Sequence, residues 1–271
     1  MVRSPLFVLP LVAAASVANA TDVGPVVVQQ AVAPISFEPT THVHVEGGLV
    51  FSASRITEEG DKFGEFPNDR GFYVGAVLRR LFQPKWSWQI GAGYTLLHEL
   101  EVDGVDATLI SELRFETFDA DIGFHPGGDI HNRVFGGLRV LHSTDLLVLL
   151  TPGPSFVSEG EAWLVGPRVG VGGQFPLGSS SFSFVVELSG AALFGAAVVD
   201  LDGLDASGPR VAFNLEGLAG LAWSSQGGAA ITIGYRAQQW WGLRQATEAD
   251  DIVVDANKLL HGVFVRLALD Y

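Results

Sequence analysis

Seven charged residues with a common setting stand out in this chain: Glu46, Arg139, Arg168, Glu187, Glu216, Arg236 and Arg266. Each lies opposite an apolar stripe in a segment of alternating character. Neighbouring side chains of a strand point to opposite faces, so these ions share the side turned away from the stripe. Ions gathered inside a closed sheet do one of two things: they line a wet path, or they close it with salt bridges.

A second set is acidic. Residues 54–70, 99–109, 145–161, 200–209 and 243–257 hold 19 of the 30 Asp and Glu but only four of the 16 Lys and Arg. Glu58, Glu59, Asp61, Asp103, Asp106, Asp202, Asp205, Asp250 and Asp251 are the members expected to form an acidic mouth. A rim of one sign concentrates cations and disfavours nucleic acid as a partner. The phrases Val102-Asp103-Gly104-Val105-Asp106-Ala107 and Leu201-Asp202-Gly203-Leu204-Asp205-Ala206 repeat a motif. Each lacks the full spacing and terminal Glu of a calcium loop, so an acidic turn is the default and no metal is assigned.

The third set is His98, His142 and His261, with Glu99, Ser143 and Asp145 close in sequence. A hydrolase could be built from such groups. His142 and Ser143 are adjacent, however, and on a strand they diverge. The reading is therefore not an enzyme, with no catalytic residue and no cofactor. The absence of cysteine also removes thiol chemistry and disulfides.

Ten strands are expected to position these groups. Period-two alternation is clearest at residues 86–96, where Trp86, Trp88, Ile90, Ala92, Tyr94 and Leu96 oppose Ser87, Gln89, Gly91, Gly93 and Thr95. It recurs along the chain, and no helical period is sustained. Within residues 110–124 the apolar face switches near Glu116, which predicts a bulge or a shifted register. Connections alternate long and short, with short ones at residues 83–85, 125–131, 176–180 and 225–228. The six tryptophans, 86, 88, 163, 223, 240 and 241, fall near predicted strand ends, as two interfacial girdles require. The last residues, Val263, Val265, Leu267, Leu269 and Tyr271, form an apolar stripe suited to a closing strand.

Residues 1–20 have the three parts of a secretory signal, ending in Ala18-Asn19-Ala20. Residues 21–41, with Pro25, Pro34 and Pro39, read as an extended periplasmic leader, and residues 42–271 as the sheet. Beyond the signal no apolar run reaches 18 residues, yet 48% of the chain is hydrophobic. Alternation resolves this: the fold expected is an all-β antiparallel transmembrane barrel of about ten strands, eight to twelve being possible, with short periplasmic turns and long external loops.

Several phrases of the second half carry a resemblance: Gly166-Pro167-Arg168-Val169-Gly170, then Gly234-Tyr235-Arg236-Ala237-Gln238 running into Trp240-Trp241, and Leu260-His261-Gly262-Val263-Phe264-Val265-Arg266-Leu267. In this order they resemble the Legionella-type pore-forming outer-membrane protein family, over about residues 163–271. The resemblance implies an outer-membrane pore with Arg168, Arg236 and Arg266 facing the lumen. Expected partners are outer-membrane lipid, small solutes or cations, and the barrel-assembly machinery through the C-terminal strand. The expected function is a narrow passive pore. Its alternatives are a closed structural barrel whose acidic loops bind cations or a partner, and a rim-sited hydrolase.

Overall fold

The computed structural model describes residues 40–58, 61–102, 108–127, 129–150, 156–201, 204–225, 227–247 and 253–271. The expected signal and almost all of the leader lie outside them. Ten strands follow in order: β1 (Thr41–Glu58), β2 (Asp61–Gln83), β3 (Trp86–Val102), β4 (Thr108–Phe124), β5 (Arg133–Leu150), β6 (Phe156–Pro176), β7 (Phe182–Leu201), β8 (Leu204–Ser224), β9 (Ala229–Thr247) and β10 (Val253–Asp270). Each pairs antiparallel with its sequence neighbours, and β10 pairs with β1 to close a barrel. Closure runs from His42↔Asp270 to Glu58↔Val254, and Thr41 and Tyr271 exchange backbone hydrogen bonds of 2.7 and 2.9 Å. The C-terminal strand therefore completes the ladder and leaves no free edge.

The short turns fall where alternation stops. Of the expected long loops, residues 59–60, 103–107, 151–155, 202–203 and 248–252 lie outside the described residues. Most of the remaining loop residues continue the strands, which run from 17 to 23 residues, when about 9–11 suffice to cross a bilayer core. The extra strand length was not visible in the alternation because these segments are acidic, and polar strands outside lipid need no apolar stripe.

The bulge expected near Glu116 is also absent. β3 and β4 pair without interruption from Trp86↔Phe124 to Val102↔Thr108. Register shifts lie elsewhere, between Ser52 and Ser54, Ile56 and Thr57, and Ala256 and Lys258 among others. What changes near Glu116 is the surroundings of the strand. Below it Phe118, Ile122 and Phe124 are exposed on the outer face, and Asp119 and Asp121 face inward. Above it Arg114 and Glu116 face out, and Phe115 is buried inside. Parity is preserved while polarity inverts.

The same inversion recurs around the barrel. On the outer face Val165, Val169 and Val171 of β6 give way to Glu161, and Leu138 of β5 gives way to His142. Inside, the upper half holds a cluster of Leu97, Phe115, Leu141, Leu164, Leu193, Trp240 and Leu260, all 0–3% exposed. The lower half is thus oil-facing outside and polar within, as a membrane barrel must be. The upper half has the water-facing exterior and apolar core of a soluble one.

Aromatic residues mark the boundary. Trp86, Trp223, Phe124, Phe175 and Phe182 ring the turn end, while Trp163, Trp241 and Phe213 ring the other. Trp240 departs from the girdle expectation. It points inward and is 1% exposed.

Candidate functional site

Three levels of the lumen can be distinguished, beginning at the turn end. Here His42 and His44 of β1, Arg79 of β2 and Asp270 of β10 meet the β4–β5 turn. His42 Nδ1 lies 2.6 Å from Asp270 Oδ1, and His42 Nε2 lies 3.1 Å from His44 Nδ1. His131 of the turn reaches the other oxygen of Asp270 at 3.2 Å. His42, Arg79, His131 and Asp270 border a cavity of about 220 Å³ that also touches Arg266 and Glu187.

That turn is built around a buried histidine. His125 Nδ1 faces two backbone carbonyl oxygens, of Asp129 at 2.8 Å and Asn132 at 3.1 Å, so it carries the proton and donates. Its Nε2 then accepts from Ser87 Oγ at 2.8 Å. Burial pushes the His125 pKa down, as loss of water disfavours the imidazolium. The Asp129 carboxylate accepts from the His131 backbone N–H and the Asn132 side chain, holding His131 in place.

The middle level is a belt of ion pairs. Arg139 donates to both oxygens of Asp119 at 2.7 and 2.8 Å, to Asn214 Oδ1 at 2.6 Å and to Glu216 at 3.2 Å. Arg236 bridges Glu216 and Glu46, at 2.6 and 2.8 Å, and its guanidinium lies over the Tyr73 ring. Arg266 closes on Glu46 at 2.6 Å. Arg168 pairs with Asp121 at 2.6 Å, and Arg133 reaches Glu187 at 3.3 Å and Gln89 at 2.6 Å. Bidentate pairing with several carboxylates keeps buried charge compensated, the condition for tolerating it at all.

All seven ions named from the sequence are in this belt. Sequence reasoning missed Asp119, Asp121, Arg133, Arg79 and Gln89. Counting parity back from Phe124 and Ile122 would have placed both aspartates inside. Arg79 and Arg133 sit in segments whose alternation is weak at strand ends.

The third level is the apolar cluster. Phe115 and Trp240 stack across it with planes 4° from parallel. Leu141, Leu164, Leu193 and Leu260 complete a layer above the ions.

Outside the barrel, His142 stacks on Trp163 with centroids 4.1 Å apart and contacts Glu116 at 3.1 Å and Glu161 at 3.2 Å. Ser143 faces the interior. His98 lies 3.5 Å from Glu112, and His261 meets the Tyr235 hydroxyl. The three histidines thus belong to separate clusters. Of the acidic mouth, Glu58, Asp61 and Asp205 lie near the ends of β1, β2 and β8. Glu59, Asp103, Asp106, Asp202, Asp250 and Asp251 lie outside the described residues.

No protein-family model and no curated protein matches the chain. Solved structures do. The outer-membrane protease OmpT from Escherichia coli superposes with a TM-score of 0.53 at 8% identity, covering 88% of this chain and 99% of that one. The translocator domain of the autotransporter NalP from Neisseria meningitidis gives 0.38 at 12% identity, over 81% of this chain and 87% of its own. Ail, the attachment invasion locus protein of Yersinia pestis, gives 0.28 at 13%, over 84% and 99%.

The fold is that of an outer-membrane barrel. The OmpT superposition shows this at the level of fold alone, and the lipid-facing band with its two girdles agrees with it. The likeness is to outer-membrane barrels as a class and not to one Legionella-type family. A closed barrel with this exterior is consistent with the outer membrane of a Gram-negative-type envelope.

Proposed function

We propose that this protein is a plugged outer-membrane barrel that presents long acidic hairpins as a platform for cations or a cationic partner. The observation carrying this reading is the layer of Leu97, Phe115, Leu141, Leu164, Leu193, Trp240 and Leu260 across the lumen. A conducting path needs water along its length, and side chains this buried leave no room for it. Beneath them the ion pairs fill the section that a ten-stranded barrel makes narrow already. The strands that continue past the outer girdle favour display, because a hydrogen-bonded ladder carries their described ends away from the lipid.

A narrow passive pore is the second reading. It is favoured by the charged mid-lumen and the polar cavity at the turn end. In that case the acidic rim makes the pore mildly cation-selective at low salt. The preference fades near 1 M, where screening falls to about 3 Å.

Planar-bilayer recording of the full chain separates the two. The platform reading expects no steady conductance. It also expects a polylysine peptide to bind barrel-bearing liposomes, more weakly after Glu58, Glu59 and Asp61 are changed together to Gln and Asn. Steady, salt-dependent single-channel steps would overturn it in favour of the pore.

A further inference from the structure

We propose that His42, His131 and Asp270 form a binding site for a divalent transition-metal ion, with Zn²⁺ as the probe, at the turn end of the lumen. Their three donor atoms lie within 4.8 Å of one another. Two imidazoles and one carboxylate suit a borderline-soft cation and leave a further position open, as exchangeable zinc sites require. That position faces the cavity of about 220 Å³.

Three features beyond proximity support the assignment. The imidazoles of His42 and His131 meet edge to face, at 89° with centroids 5.4 Å apart, so neither blocks the other from the shared carboxylate. When His42 Nδ1 binds an ion, its Nε2 carries the proton and donates to His44 Nδ1, already 3.1 Å away. Metal-bound histidines are usually oriented by such an outer partner. Finally, His131 sits on the turn that His125 and Asp129 make rigid, which limits the entropy lost on binding.

Two cations line the same cavity: Arg266, which is paired with Glu46, and Arg79. The Arg79 guanidinium is turned to Gln89 Oε1 and the Ile130 carbonyl, so it weakens the site without occupying it. An ion held here would join the first strand, the last strand and the β4–β5 turn. It would act as a clamp across the closing seam.

The test uses the full chain in detergent micelles, stripped with chelator and titrated with Zn²⁺ against a chromophoric competitor. One ion per chain is expected in the wild type. His131→Ala and Asp270→Asn, both first shown to be folded by heat-modifiable mobility, should lose it. His44→Phe should weaken it at least about tenfold, as removal of an outer partner does. His142→Ala, in the exterior cluster, should leave binding unchanged. Zn²⁺ should also raise the temperature at which the wild type loses folded mobility, and not that of Asp270→Asn. No saturable binding by the wild type, or binding that survives both His131→Ala and Asp270→Asn, would overturn the proposal. Conductance has no part in this readout, so its failure is separable from failure of the platform reading.

Discussion

Phe115 and Trp240 lie face to face across the barrel, with ring centroids 5.8 Å apart, although β4 and β9 belong to different walls. The contact spans the lumen at the level of the apolar cluster. Offset stacks of this kind contribute about 0.5–1.5 kcal/mol beyond the area they bury.

Phe115→Ala or Trp240→Ala should each lower stability by about 3–5 kcal/mol, the range for deleting a buried aromatic. The double variant should cost less than the sum, because the partners share one contact. Urea unfolding followed by tryptophan fluorescence and by gel mobility measures both. If the stack seals the lumen, the double variant should also pass small currents that the wild type does not.

Arg139 holds both oxygens of Asp119 and one of Glu216, so Arg139→Ala leaves Asp119 with Arg168 at 3.5 Å and Glu216 with Arg236. A loss of about 3–5 kcal/mol is expected, as for any buried pair broken on one side. Pairing it with Asp119→Asn and Glu216→Gln should recover part of that loss, since the carboxylates that lost a cation are neutralised. A triple variant no better than the single would show that packing, not charge, sets the cost.

Gly166 and Gly195 let β6 and β7 approach at the level of the apolar cluster. A Cβ on Gly166 would lie 2.9 Å from the carbonyl carbon of Ala192 and 3.0 Å from Leu193 Cα, and one on Gly195 would meet Trp163 and Leu164 at the same distances. Backbone cannot yield as a side-chain end can. Gly195→Val should therefore fail to reach the heat-modifiable form, while Gly208→Val, with open space around it, should assemble normally.

His125 gives a pH dependence with a fixed sign. Its folded pKa is pushed below the unfolded value of 6.5 by burial. The unfolded chain therefore binds the proton first. The neutral ring's contribution is fully present above pH 6.5 and is lost as pH falls from there through the folded pKa. The thermal midpoint should drop over that window, and His125→Gln should flatten this part of the profile while starting from a lower midpoint.

Topology can be checked by labelling. A cysteine at Ser179, in the β6–β7 turn, should resist an impermeant maleimide on intact cells and react after lysis. Surface labelling at Ser179 would reverse the proposed orientation.

Strand number, closure by the last strand and the side on which each of the seven ions lies are all legible from alternation, because parity is a local property. Polarity is not local. The inversion near Glu116 looked like a register fault because the sequence does not mark where lipid ends. Trp240 looked like a girdle residue for a related reason: it is adjacent to Trp241, and only counting from Ile231 and Ile233 separates the inward ring from the outward one. The His42, His131 and Asp270 cluster was beyond reach, since barrel closure alone brings residues 228 apart into contact.

The inversion of polarity also gives the molecule a waterline. Shifting the barrel a few ångströms toward the periplasm would draw Glu116, His142 and Glu161 into hydrocarbon, where a charged group on the outer face costs about 0–1 kcal/mol near the interface and more with depth. Shifting it the other way would lift Val165, Leu138 and Phe118 into water, at about 25 cal/mol for each Å² uncovered. Both displacements are opposed, and by different forces. The barrel is a float with its draught written into the strands, so membranes of unequal thickness should deform around it before it tilts or slides.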